Sequence, residues 1–142
     1  MKLHVTVGLP RSGKSTWART TGWPIVNPDS VRLAIHGQRF YGPAEPFVWA
    51  VTYAMVEALR LAGHRNIVVD ATNVSAKRRK EWEDRYAGAI EWKVVPTSPA
   101  ECIRRAMAEG DKDIIPVIER MAKEWDYPDR LEPAPAATGE GA

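Results

Sequence analysis

The sequence predicts an α/β domain built on a parallel sheet, and three observations predict it. Short β-prone runs alternate along the chain with stretches whose apolar residues recur at helical spacing. One run, Ile67-Val68-Val69, is apolar without interruption, as in a strand covered on both faces. Another, Leu3, Val5 and Val7, passes directly into a Gly-rich loop, "GLPRSGKST" at residues 8–16, that opens a helix.

The elements follow in order. After the first strand, Lys14 to Thr20 reads as a helix and Ile25-Val26 as a short strand ending in "NPDS". Pro28 and Ser30 then punctuate the start of a helix that contains Val31, Leu33 and Ile35. Residues 37–46 read as a loop, with Gly42-Pro43 marking a turn. Phe47, Val51, Ala54, Met55, Ala58, Leu59 and Leu61 form a core-facing helical stripe, stopped at Gly63. The third strand runs into Asp70, and a charged helix follows over about 75–86. A fourth strand is expected over 90–95, then helices over 99–108 and 115–125 separated by "EGDKDIIP"; no fifth strand stands out.

The chain has 142 residues, of which 44% are hydrophobic, which suits one domain with its own core. Its closing stretch, residues 131–142, is rich in Pro, Ala and Gly and reads as a disordered tail. The single cysteine, Cys102, excludes an internal disulfide and reads as a small buried hydrophobe. The N-terminus is too short and mixed for a signal peptide, and no apolar run reaches the roughly 18 residues of a membrane span. The expectation is a soluble cytoplasmic protein without membrane contact. Net charge is only +2, but residues 1–80 carry 12 Lys/Arg against 4 Asp/Glu and residues 81–142 carry 8 against 14. The half with the Gly-rich loop is basic, which suits a polyanionic substrate, although a bound nucleoside triphosphate accounts for part of it.

The loop has the pattern G-x-x-x-x-G-K-[ST] after a strand and before a helix, the context its phosphate-binding reading requires. Gly8, Pro10, Arg11, Ser12, Gly13, Lys14, Ser15 and Thr16 are the expected ATP-binding residues. Lys14 is expected on the β- and γ-phosphates and Ser15 on Mg²⁺. In open parallel sheets ligands sit beyond the carboxyl ends of the strands, and the second and third strands end at Asp29 and Asp70. A carboxylate at Asp29 can take the proton of an attacking hydroxyl, though "NPDS" equally suits a helix cap. Arg32 lies one helical turn on, where it can hold a phosphate or merely carry a solvated charge. Asp70 is placed like a Mg²⁺-orienting acid, and Ala71 follows it where hydrolysing motors carry a second acid, so transfer is favoured over hydrolysis. Lys77 to Lys80 form a basic run, read as a solvated face or a contact to nucleic-acid phosphates. Trp82 reads as core, and His4, His36 and His64 lack metal-ligand spacing.

Together, "GLPRSGKSTWAR", "NPDSVR", "DATNVSAKRRKEW" and "CIRRAMAEGDKDIIPVIERM" resemble the kinase domain of phage polynucleotide kinases over about residues 1–127. The resemblance implies a P-loop NTPase fold, a three-layer α/β/α arrangement of the adenylate-kinase type. It implies a kinase domain over 1–130 with a helical lid at about 104–116. It makes Lys14, Asp29, Arg32 and Asp70 catalytic, Ser15 and Asp70 the metal residues, and ATP with Mg²⁺ the cofactors. Where the family's lid carries an arginine for the transferring phosphate, this chain has Glu109. Arg104, Arg105 or Lys112 is expected to substitute, with Arg105 taken as the catalytic one. The stretch from Arg32 to His64 followed by "VVDATN" also resembles phage kinases that phosphorylate 5-hydroxymethyluracil in DNA. The expected activity is therefore γ-phosphate transfer to a DNA hydroxyl, that of 5-hydroxymethyluracil first and a 5′ end second. A small-molecule kinase and a nucleotide-binding module that transfers nothing are the other readings. The aromatic and apolar loop Phe40, Tyr41, Pro43, Pro46 and Phe47 can stack on a modified base, or is simply a packed surface loop.

Overall fold

A computed structural model of the chain describes residues 1–125, so the expected tail and the last residues of the expected domain lie outside the described residues. Four strands, β1 (Lys2–Val7), β2 (Ile25–Val26), β3 (Asn66–Val69) and β4 (Ile90–Val94), form one sheet in the order β2-β3-β1-β4. Every pairing is parallel, with Val5 opposite Val69 on one side of β1 and opposite Trp92 on the other. The helices are α1 (Lys14–Thr20), α2 (Pro28–His36), α3 (Glu45–Leu61), α4 (Ala76–Arg85), α5 (Pro99–Ala108) and α6 (Ile115–Glu124). This is an α/β fold with a parallel sheet and flanking helices, as expected. Among the described residues no helix is long and apolar enough to cross a membrane.

The central position of β1 explains its composition. Leu3, Val5 and Val7 are fully buried, and the Thr6 hydroxyl satisfies itself on the Ala71 carbonyl at 2.7 Å. One core cluster joins Leu3, Val5, Val26, Val56, Ile67, Val69 and Trp82. Trp82 is buried as expected, and its indole N–H donates to Asn73 Oδ1 at 3.1 Å, so no polar atom of the ring is wasted. A second cluster, Leu9, Val74, Cys102, Ala106 and Ile118, roots the α5–α6 hairpin beside the Gly-rich loop. Cys102 is buried there, and burial pushes its thiol above the ordinary value, consistent with a packing role.

Three segments differ from the sequence reading. The stripe expected to face the core lies on the outer side of α3: Phe47, Val51, Ala54, Met55, Ala58 and Leu61 are exposed and Leu59 is half-buried, while Val48, Thr52 and Val56 face inward, because the face that meets the sheet is set by tertiary packing and not by the longest apolar row. The loop over 37–46 contains a 3₁₀ turn, Gly42–Ala44, and α3 already begins at Glu45 because Pro46 suits a first helical turn. The basic run of α4 is mostly engaged within the protein. Arg78 donates to Tyr53 and Glu81 and lies over the Trp49 ring, Arg79 donates to the carbonyls of Asn73 and Val74, and Lys80 pairs with Asp84. Arg78 and Arg79 are half-buried in these contacts, so a bare solvated face does not describe the run, while Lys77 and Lys80 are exposed.

Candidate active site

The carboxyl ends of β1, β2 and β3 lie side by side, and the candidate residues gather there. Leaving β1, Gly8 donates its N–H to the Thr72 carbonyl at 2.9 Å. A Cβ at Gly8 would lie 2.8 Å from Ser12 Oγ and 2.9 Å from the Val95 carbonyl, so only glycine lets the loop close on itself. Arg11 has φ +68, a left-handed conformation rare outside glycine, and Ser12 is buried with its carbonyl held by the Thr97 hydroxyl at 2.8 Å. Gly13, Lys14, Ser15 and Thr16 turn the loop into α1. Pro10 and Arg11 stand at the rim, half-buried.

Lys14 is 8% exposed. Its ammonium donates to the Leu9 carbonyl at 2.7 Å, folded back over the loop. Burial pushes it below its ordinary value, against the attraction of Asp70 and Asp29. A dehydrated cation bonded, among the described residues, to a carbonyl and a hydroxyl, above a loop too tight for a Cβ, fits an incoming phosphate. Asp70 is buried, and its Oδ2 accepts from the Ser15 hydroxyl at 2.7 Å and from Asn27 Nδ2 at 3.3 Å. Ser15 and Asp70 thus offer a compact oxygen pair that fits Mg²⁺, an ion held by one or two protein oxygens together with phosphates and water.

Asn27 was not singled out in the sequence. It is the N-cap of α2, its Oδ1 accepting from Asp29 N at 2.8 Å, so capping belongs to Asn27 and the Asp29 carboxylate is left for other work. That carboxylate is exposed and accepts from Arg32 Nη1 at 2.7 Å. Arg32 is not a solvated charge. Its Nε and Nη2 form a two-pronged contact with Glu45, at 2.9 and 2.7 Å, and Arg32 in turn holds the Glu45 carboxyl below the usual range. Nothing local in the sequence marks Glu45, which lies 13 residues away on the next helix. Replacing Asn27 by Ala is expected to remove the cap and one Asp70 partner. A loss of about 1 kcal/mol, or a melting temperature lower by about 3 °C, should follow in a thermal unfolding scan. Unchanged melting would mean that the cap contributes nothing.

The segment that follows α5 brings acids to the loop. Arg11 donates to Glu109 at 2.5 Å and to Asp111 at 2.8 Å, and Arg39, beyond α2, donates both Nη atoms to Asp111 at 2.8 and 2.7 Å. These two arginines hold the Asp111 carboxyl well below the usual carboxylate range. Arg105 touches the loop through its backbone, Nη1 donating to the Arg11 carbonyl at 3.2 Å, with Nε on Glu101. Arg104 turns to Glu101 and is largely exposed. With both arginines upon it, the Glu101 carboxyl is lowered to about 2. The aromatic residues around the start of α3 are not packed: Phe40 and, on α3 itself, Phe47 are 63% and 66% exposed, and the ring of Tyr41, half exposed, meets the edge of His36. Among the described residues no cluster of three or more His, Cys, Asp or Glu could hold a metal by itself.

Comparison with known proteins adds to this geometry. A family model described as an AAA domain matches residues 3–125. A chain of the Pnkp1/Rnl/Hen1 complex is similar at 34% identity and a TM-score of 0.66, over 73% of this chain and 38% of that one. A chain of the Pnkp1/Rnl/Hen1 RNA repair complex matches at 26% identity and 0.66, over 89% of this chain and 46% of that one. This chain therefore spans less than half the length of either. A gluconokinase from Sinorhizobium meliloti 1021, at 17% identity and 0.64 over 94% of this chain and 80% of that one, shares the fold. So does the Mycobacterium tuberculosis APS kinase CysC, solved with AMPPNP and APS, at 14% identity and 0.65 over 98% and 90%.

Proposed function

Because this chain belongs to the AAA domain family and has a P-loop kinase fold, we propose that it transfers the γ-phosphate of ATP to a hydroxyl on DNA, foremost the hydroxymethyl group of 5-hydroxymethyluracil. One observation carries the transferase reading. An exposed carboxylate, Asp29, is relieved of capping by Asn27 and braced by the Arg32–Glu45 pair, beside a loop whose lysine is buried and, among the described residues, bonded to no carboxylate.

The chemistry follows from these positions. Asp29 accepts the proton of the acceptor hydroxyl as its oxygen bonds to the γ-phosphorus; the bond from that phosphorus to the β,γ-bridging oxygen breaks, and ADP leaves. Lys14 keeps its charge on the phosphates as negative charge moves toward the bridging oxygen. Mg²⁺, when bound, neutralises phosphate oxygens, and Ser15 and Asp70 are the residues that would hold it. Ala71 after Asp70 leaves that strand end without a second acid to activate water.

The exposed Phe40, Tyr41 and Phe47, on the segment that follows the helix of Asp29, support a base as part of the acceptor, since unpacked aromatic faces suit stacking. The basic N-terminal half supports a polyanion. The likeness to a chain of an RNA repair complex favours a second reading, phosphorylation of a polynucleotide 5′-hydroxyl by the same residues. Radiolabelled γ-phosphate should be offered to three DNAs: 5′-hydroxyl ended, end-blocked with 5-hydroxymethyluracil, and plain end-blocked. Label eluting with the modified base after nuclease digestion is the expected result. Label only on 5′ ends moves the function to the second reading, and label on none of them removes DNA as acceptor. Tyr41→Ala is expected to lower use of the modified DNA by about tenfold or more while leaving ATP affinity unchanged, as befits a stacking contact of about 1–3 kcal/mol.

A further inference from the structure

Phosphoryl transfer needs positive charge facing the phosphate as it moves, yet the lid presents carboxylates, Glu109 and Asp111, toward the phosphate loop. The nearby guanidiniums are not equivalent. Arg32 is committed on both sides, to Glu45 and to Asp29. Arg105 is held by Glu101 and by the Arg11 carbonyl of the loop. Arg11 is tied to both lid acids and thereby joins lid to loop. Arg39 differs. It rests on one carboxylate, its side chain is 56% exposed, and it stands on the segment that follows the helix of Asp29. It shares the Asp111 carboxylate with Arg11, a residue of the phosphate loop itself.

How Asp111 comes to hold it is visible in the turn after α5. Gly110 has φ +71 and Asp111 N donates to the Ala106 carbonyl at 2.8 Å, which turns the chain back with the carboxylate toward the loop. The two oxygens and the two Nη atoms of Arg39 then match as a fork. A phosphoryl group presents the same pair of oxygens.

We propose that Arg39, from outside the lid, is the catalytic cation that contacts the transferring phosphoryl group, with Asp111 as the residue that positions it before nucleotide binds. The proposal rests on the phosphotransferase reading but not on DNA as acceptor. As the new oxygen–phosphorus bond forms and the bridging bond breaks, with the acceptor proton on Asp29 and ADP departing, the guanidinium moves from the Asp111 oxygens to the equatorial phosphoryl oxygens. Arg11 keeps the lid tied to the loop through Glu109 meanwhile.

The test uses the whole chain without any acceptor. Binding of ADP is compared with binding of ADP plus aluminium fluoride and Mg²⁺, a mimic of the phosphoryl group in flight. The wild-type chain should bind the mimic at least about tenfold more tightly than ADP, since one such donor is worth about 10²–10³ in rate. Arg39→Ala should bring the two affinities within about twofold of each other while ADP affinity holds, and Arg39→Lys should restore part of the difference. Arg60→Ala, which removes an exposed charge paired with Glu57 on α3, controls for net charge and should behave as wild type. A wild-type preference retained in Arg39→Ala overturns the proposal, as does a wild-type chain with no preference for the mimic. Failure of the DNA reading leaves this measurement untouched, because no acceptor is present.

Discussion

Lys14→Met should reduce phosphoryl transfer by at least about 10²-fold, the loss expected when a preorganised charge in the transition state is removed. It should do so without unfolding the chain. The ammonium is buried, and its dehydration costs the apo protein; methionine removes that cost but leaves the Leu9 carbonyl without its 2.7 Å donor. The two effects oppose each other at about 1–3 kcal/mol each, so the melting temperature should move by only a few degrees in either direction. Turnover with saturating ATP, alongside a thermal scan, separates the two. Near-normal turnover would show that the loop lysine is not part of the chemistry.

Asp29→Asn should cost about 10²–10⁴ in turnover, the usual contribution of a general base, with ATP affinity retained. The structure sharpens what else should happen. Asn27 caps α2, so the carboxylate has no capping bond to lose. Its ion pair with Arg32 is solvent-exposed on the Asp29 side, at 73%, and pairs of this kind contribute about 0–1 kcal/mol. The asparagine carbonyl can still accept from Arg32. Melting should therefore stay within about 2 °C of wild type while turnover collapses. A variant that keeps its rate but melts early would return Asp29 to a structural role. Measured together, Asn27→Ala and Asp29→Asn should show opposite profiles, one losing stability and the other rate.

These contrasts mark where sequence reading reached and where it stopped. The elements were legible because each has a local cause. β1 alternates Leu3, Val5 and Val7 with polar residues, β3 is a run of branched apolar residues, α5 opens with Ser98 and Pro99, and α1 starts where the Gly-rich loop ends. The phosphate loop was legible because its backbone geometry demands glycine at fixed places, as the 2.8 Å approach of a Cβ at Gly8 to Ser12 shows. Asp29 and Asp70 could be named as candidates because parallel strands end on one side of the sheet. The choice between base and cap at Asp29 could not be made, since Asn27 and Asp29 are both good caps and only the backbone bend decides which oxygen meets which N–H.

The sequence by itself determined the layers, the order of elements and the phosphate loop, because hydrophobic periodicity and glycine requirements act over a few residues. Tertiary structure alone decided which polar and charged side chains meet. Arg32 met Glu45 from the next helix, Ser15 met Asp70 across 55 residues, and Arg39 met Asp111 across 72. An ion pair forms wherever folding brings two side chains within about 4 Å, and nothing in the spacing of residues along the chain records that distance. For the same reason the lid acids, read in the sequence as the absence of a cation, stand in the folded protein as the seats of two arginines.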